Sequence, residues 1–441
     1  MIQNGRAYIP ATVLFLLCGC GDDAVEGRVG PPAAPASVQV DTAPPAPPPS
    51  QPSPEPAAAA PDQIRGLYLN ADAVGSAKRL AGLLALADST EINAFVIDVK
   101  DERGTHYTTG IGLARDLARD EPAVTDLPAL LDTLHARGIY AIARLVVFND
   151  PVLAAARPEW SIRKENGEIW LDRAGNSWVS PWDRRVWEHN LAIAVEVARA
   201  GFDEVQFDYV RFPEQFTSLP AQVHPRADGD RTDAIAAFLR EARGRLHPLG
   251  VAVAADVFGL SPNTYEDVGI GQQWERLSVI VDHILPMMYP SHYFPTHLPD
   301  VARPHEMPYE TIYKSAGMAR LRNGRMADAG LDPARTIVWL QAFQATWLRD
   351  GVEYGPQEVE LQKQAVYDVG LEDWILWHPG SRYERFVPAL ERRTESRATQ
   401  NYTPPEDVLR IVDRFEELGV ERIRTELVDQ GAAPTEDRGP S

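Results

Sequence analysis

The sequence predicts an α/β chain built on a closed (β/α)8 barrel, and three observations carry that reading. After Pro61, short apolar, β-branched runs alternate with amphipathic stretches eight times. Eight strand–helix units in about 330 residues suit parallel strands joined by crossover helices in a barrel. The alternative, a doubly wound open sheet, would want a glycine-rich phosphate turn after its first strand, and Asn70-Ala71-Asp72-Ala73 is not one. The 441 residues are therefore expected to divide into a signal peptide (1–20), a disordered Pro/Ala-rich linker (21–61), the barrel (62–395) and a short helical extension with a tail (396–441).

The expected strands are 64–70, 94–99, 139–147, 204–210, 251–258, 283–289, 336–341 and 374–378, each an apolar run of strand length. Between them, 77–86, 127–137, 186–200 and 232–246 carry apolar residues at helical spacing. Beyond the barrel, 405–427 reads as two short helices broken at Gly419, with Leu409, Val412, Phe415 and Leu418 on one face that packs on the barrel or caps an end of it.

The N-terminal sixty residues read as address and tether. An apolar run, 9–17, follows Arg6; it is too short to span a bilayer as a mature helix and suits a signal-peptide core. It runs into Leu17-Cys18-Gly19-Cys20, which resembles a bacterial lipobox and implies cleavage before Cys20 and lipidation of its thiol; an ordinary secretory signal is the alternative. Gly21 in place of Asp is similar to Gram-negative lipoproteins of the outer membrane. Either way the protein is expected to be exported, and with the lipid anchor to be held at the outer membrane, in the periplasm or at the cell surface. Twelve prolines between Pro31 and Pro61 make an extended spacer with a reach of roughly 100 Å, since such a stretch buries no apolar area. Both cysteines lie in this region, so the body has neither a disulfide nor a cysteine metal site. With 63 acidic against 43 basic residues and a net charge of −20, the chain repels phosphate backbones, and no nucleic-acid partner is expected.

A barrel places its chemistry at the carboxyl ends of its strands, which here carry Asn70, Asp98, Arg144, Asp208, Asp256, Tyr289, Gln341 and Trp377. In the fourth strand Val205 and Phe207 share one face, while Glu204, Gln206 and Asp208 share the other and point into the barrel. Arg211 follows three residues later, close enough to hold Asp208 charged. In the fifth strand, Ala252 and Ala254 share a face with Asp256 and leave room above them for a substrate. Two carboxylates on adjacent strand ends are what glycoside cleavage requires, one protonating the leaving oxygen and the other attacking or activating water. Asp208 is assigned nucleophile or base, and Asp256, in a more apolar run, the general acid. The competing reading has these aspartates capping the helices that follow. Asp98, Lys100 at the same parity, Arg144, Arg211, Tyr289, His292, Gln341 and Trp377 are the expected substrate-binding residues. Trp160, Trp170, Trp178, Trp182 and Trp187 fall within 28 residues between the third and fourth strands, around a long loop at 150–183, and either stack on sugars or pin that loop to the barrel.

The run 201–213, GFDEVQFDYVRFP, resembles the signature of a bacterial family of glycoside-hydrolase domains, DUF4015. So do FVIDVKD at 95–101, ADVFG at 255–259, PMMYPSHY at 286–293, WLQAF at 339–343 and WHP at 377–379. The resemblance covers residues 64–387. It implies a TIM barrel related to the α-amylase type of glycosidase, with the nucleophile from the fourth strand and the acid from the fifth, as assigned above. The family motif has an acidic residue where this chain has Ala342.

No G-x-S-x-G, H-E-x-x-H or Walker lysine motif is present, and His292 and His297 in a Pro-rich loop are a weak metal signal, so neither metal nor cofactor is expected. The expected activity is hydrolysis of a poly- or oligosaccharide of the envelope or exterior. The rival is a non-catalytic carbohydrate-binding or envelope-organising lipoprotein on the same barrel, which would need no pair of carboxyls facing one cleft.

Overall fold

Eight parallel strands pair edge to edge and return to the first. The computed structural model describes residues 60–118, 121–391 and 396–432. The strands are β1 (Arg65–Leu69), β2 (Ala94–Asp101), β3 (Tyr140–Val146), β4 (Glu204–Asp208), β5 (Ala252–Phe258), β6 (His283–Met287), β7 (Val338–Gln341) and β8 (Trp374–Trp377). Each pairs with its sequence neighbour, and β1 pairs with both β2 and β8, which closes the barrel. The seventh predicted strand is interrupted: Arg335–Thr336 pairs with β6 separately from β7, and Ile337 N–H donates to the Ile284 carbonyl between them.

The principal crossover helices are α1 (Ala77–Ser89), α2 (Leu127–His135), α3 (Arg184–Ala200), α4 (Arg231–Leu246), α5 (Pro308–Asp328) and α6 (Pro356–Asp368). Side chains of Ser76, Asp126, Asp183 and Asp230 accept from backbone N–H groups at the starts of α1 to α4, satisfying donors that a helix leaves open. Their apolar stripes pack on the outward residues of the strands in one continuous core.

The barrel interior is a second, smaller cluster that includes Tyr68, Val96, Ile142, Ala254, Leu285, Trp339 and Ile375. Here β1 lies so close to β8 that a Cβ on Gly66 would meet Ile375 Cγ1 at 2.9 Å. Near the ends where the strands begin, buried Glu204 accepts from the Tyr140 hydroxyl at 3.1 Å and lies 2.6 Å from His283 Nδ1.

Beyond the barrel, α7 (Glu406–Leu418) and α8 (Val420–Asp429) are joined at Gly419, whose φ of 123° suits glycine. The buried face of α7 is Val408, Val412 and Phe415, whereas Leu418 is exposed, so the face differs from the expected one at its ends. Val408 and Val412 pack with Met318 of α5 and with Tyr293, Leu298 and Val301 of the loop after β6. Among the described residues no helix is long and apolar enough to cross a membrane. The expected signal peptide, the lipobox with Cys20 and the proline-rich linker up to residue 59 lie outside the described residues, as does the tail from residue 433.

Candidate active site

Asp208 ends β4 with its inward parity, and Asp256 has the same parity in β5, two residues before that strand ends. The two strands are in register at Gln206–Ala254 and Phe207–Ala255, so one step further the aspartates stand side by side. Both line a cavity of about 590 Å3 at the carboxyl ends of the strands, with Arg144, Tyr289, Trp339 and Trp377 among its walls. A second cavity, of about 660 Å3, lies by the C-terminal end of α8 where β5 and β6 begin, and no carboxylate among the described residues lines it.

Arg144 organises the anionic side. Its Nε donates to Asp208 Oδ2 at 3.0 Å, Nη2 donates to the same oxygen, and Nη1 donates to Asp98 Oδ1 at 2.5 Å. The remaining oxygens are also occupied: Tyr68 hydroxyl donates to Asp98 Oδ2 at 2.5 Å, and Tyr209 N–H to Asp208 Oδ1 at 2.6 Å. Tyr68 and Trp377 stack with centroids 3.9 Å apart, and the guanidinium lies over both, 5.6 and 5.1 Å from their centroids. Burial opposes the charge on Arg144, but Asp208 and Asp98 outweigh it and hold the group protonated well above its usual range. Tyr209, directly after β4, has φ 49°, an uncommon conformation for a bulky residue at a site held by its surroundings.

Asp256 has a different environment. Trp339 Nε1 and Gln206 Nε2 both donate to its Oδ1 at 2.6 Å, while Oδ2 has no partner among the described residues. Burial pushes this carboxyl well above the ordinary carboxylate range, and the neighbouring charge of Asp208 adds to the shift; Arg144 and the two donors offset it only in part. The pair thus combines a carboxylate clamped by a cation with a carboxyl that favours its protonated form. That combination can run acid–base or nucleophilic chemistry on a bound molecule.

The other expected residues separate into two groups. Arg144, Arg211, Tyr289, His292 and Trp377 line the cavity. His292 is pushed toward its neutral form by burial and meets Tyr289 and Trp347 edge-on, which fits a wall group. Asp98, Lys100 and Gln341 do not line it. Asp98 stands behind Arg144. Gln341 is fully buried, accepting from Ser291 N–H and donating to the Phe343 carbonyl, so it fixes two rim loops. Lys100 is turned away by a β-bulge: Asp98 pairs with Arg144, but Lys100, two residues on, pairs with Leu145. The bulge reverses its parity, and its ammonium instead meets Asp150 at 2.8 Å and the Val146 carbonyl at 2.6 Å. Arg211 is not the partner of Asp208 either; Arg144 takes that place.

Asp98, Asp208 and Asp256 cap no helix among the described residues, whereas Asn70 caps the short helix Ala71–Gly75. The five tryptophans between β3 and β4, four in the loop and Trp187 on α3, stay outside the cavity lining. Trp170 donates to the Pro220 carbonyl, Trp178 to Asp172 and Trp187 to the Pro181 carbonyl, so these three pin the loop. The cavity takes further rings from Phe258, Phe294, Trp339, Phe343 and Trp347, none assigned from sequence. Trp339 was open to discovery by parity, since it lies two residues before Gln341. Phe294 and Trp347 lie in loops, where no periodicity marks them. Among the described residues, no group of three or more His, Cys, Asp or Glu side chains is arranged to hold a metal ion.

The family model DUF4015, described as "Putative glycosyl hydrolase domain", matches residues 66–383. Among solved structures, the glycoside hydrolase domain of PgaB (BpsB) from Bordetella bronchiseptica aligns with a TM-score of 0.53 at 16% identity, covering 74% of this chain and 97% of its own. Alpha-L-fucosidase isoenzyme 2 from Paenibacillus thiaminolyticus aligns at 0.50 and 15% identity, covering 74% of this chain and 48% of its own. A hypothetical protein from Ruminiclostridium thermocellum is 36% identical over 43% of this chain and 97% of its own, with a TM-score of 0.40. No curated protein matches the sequence.

Proposed function

The chain belongs to the DUF4015 family of glycosyl hydrolase domains, and from that premise we propose that it cleaves glycosidic bonds in a poly- or oligosaccharide by a two-carboxylate mechanism. One observation carries the reading: Asp208 and Asp256 line the same cavity from adjacent strand ends in opposed environments. Asp256 acts as general acid, delivering its proton from Oδ2, the oxygen left free by Trp339 and Gln206. Asp208, clamped by Arg144, attacks the anomeric carbon or activates the water that does. Positive charge developing at the ring is stabilised by its carboxylate, and the aromatic walls exclude water and face the sugar ring.

A screen of envelope and extracellular glycans for release of reducing ends tests this, with product stereochemistry followed by NMR. Asp208→Asn and Asp256→Asn are each expected to slow release on the order of a thousandfold while the protein melts as the native chain does. Full activity in Asp208→Asn would sink the assignment.

The leader sequence supports a second part of the proposal, that the protein is exported and held to a membrane by a lipid on Cys20, with the proline-rich segment as spacer. Cys20→Ala is expected to move it from the membrane to the soluble fraction of cells; unchanged membrane association would overturn the anchor.

A further inference from the structure

Arg211 lies in the cavity wall, and no carboxylate among the described residues pairs with it directly. It is 7% exposed, yet among the described residues no carboxylate comes within ion-pair distance of it. Among the described residues only Nη1 has a hydrogen-bond partner, the Phe212 carbonyl at 3.0 Å, and Nε and Nη2 meet no acceptor. Three rings surround the guanidinium, with Trp178, Tyr209 and Phe258 centroids at 4.9, 5.2 and 4.5 Å. Two of those rings, Tyr209 and Phe258, also line the cavity. Arg144, the other arginine of the lining, is saturated by Asp98 and Asp208. The carboxylate of Glu214, at the cavity edge, lies beyond ion-pair range, and its residue is exposed.

A cation removed from water normally keeps a counterion, because desolvating an unpaired charge is costly. Rings offset part of that cost and hold the fork in one plane, but they leave Nε and Nη2 without acceptors. Those two groups form the edge of a guanidinium that binds a carboxylate through two parallel hydrogen bonds. We propose that Arg211 receives the carboxylate of an acidic sugar, so that the glycan bound here contains a uronic acid. The inference rests on the hydrolase reading only in calling that glycan a substrate; the anion pocket itself does not depend on bond cleavage.

The test measures binding of D-glucuronate, its neutral isostere D-glucuronamide, D-glucose and D-glucose 6-sulfate to the full chain by NMR titration. Glucuronate is expected to bind about tenfold more tightly than glucuronamide or glucose, as a charge-assisted bidentate contact requires. Arg211→Gln is expected to abolish the difference, and Arg211→Lys, which keeps the charge but loses the fork, to leave only part of it. The native-protein comparison of glucuronate with glucuronamide stands even if a variant fails to fold. Equal binding of those two would overturn the proposal, and a preference for the 6-sulfate would overturn the carboxylate. Glucuronate selectivity without cleavage of any acidic glycan would leave the pocket and overturn the hydrolase reading. Cleavage of glycans together with equal binding of glucuronate and glucuronamide would do the reverse.

Discussion

Trp339 Nε1 and Asp256 Oδ1 are 2.6 Å apart, and this bond, shared with Gln206 on the same oxygen, decides which oxygen of the acid is free. The indole N–H favours the charged carboxylate, so it restrains a pKa that burial drives upward. Trp339→Phe removes that restraint. The Asp256 pKa should rise further, and the alkaline limb of the pH–rate profile should move to higher pH while the maximal rate falls. A limb that stays in place or moves to lower pH would contradict the role given to the bond.

Arg144 serves two carboxylates at once, so its loss should be felt in stability as well as rate. Arg144→Gln leaves Asp98 and Asp208 without their shared cation, and removing one partner of a buried ion pair costs about 3–5 kcal/mol. Adding Asp98→Asn removes one of the orphaned charges and should restore part of that loss. A double-mutant cycle by urea denaturation checks this; additive losses would mean that the three groups do not act as a unit.

Lys100 separates what parity predicts from what the barrel does. Its ammonium is buried against Asp150, away from the cavity. Lys100→Met is expected to destabilise by about 3–5 kcal/mol, the cost of a buried charge left alone. Turnover by the folded variant should stay within about twofold of native, since binding groups elsewhere are untouched. A large rise in KM would restore Lys100 to the site.

The failure to place Lys100 from sequence has one physical source. Period-two alternation holds only while the ladder is regular, and the bulge after Asp98 inserts one residue with no local signature that we recognise. Elsewhere the alternation was enough: Asp208, Asp256 and Arg144 meet because each lies near the carboxyl end of an inward-facing set, and closure of the sheet brings those sets together. The pairing of Arg144 with Asp208, 64 residues apart, depends on the registry of β3 with β4, which a single sequence does not encode in any nearby pattern. The mouth aromatics were missed because loops have no period. The tryptophans were conspicuous by number, but the N–H groups of Trp170, Trp178 and Trp187 meet backbone carbonyls and Asp172, contacts that composition cannot reveal.

His283 gives the barrel floor a pH dependence. Burial alone would lower its pKa, but Glu204, through charge and hydrogen bonding, outweighs that and raises it above the ordinary 6.5. A raised folded pKa contributes stability that is complete below the unfolded value and disappears as pH climbs through the folded one. The stability gap between the native chain and His283→Gln should therefore be widest near about pH 6 and narrow toward about pH 9. Urea midpoints measured across that range check the sign, and a gap that widened with pH would refute the pairing.

Trp347 and Phe294 are among the most exposed large apolar residues described, at 56% and 66%, and both belong to the cavity rim. Folding gains little from them, so their presence calls for another cause, and a flat ring beside a carbohydrate cleft supplies one. Trp347 is held in place by Phe343, stacked at 6.0 Å between centroids, and by the edge of His292 at 5.7 Å. A sugar lying on that face would be outside the scissile position, because Asp208 and Asp256 sit at the strand ends below. Trp347→Ala should therefore penalise long oligosaccharides more than short ones. Losing roughly 1.5 kcal/mol of buried ring surface corresponds to about a tenfold fall in kcat/KM on the longest chains, through KM. The melting temperature should hardly move. A loss of equal size at every chain length, or one confined to kcat, would place Trp347 in the reaction itself and not at a distal sugar.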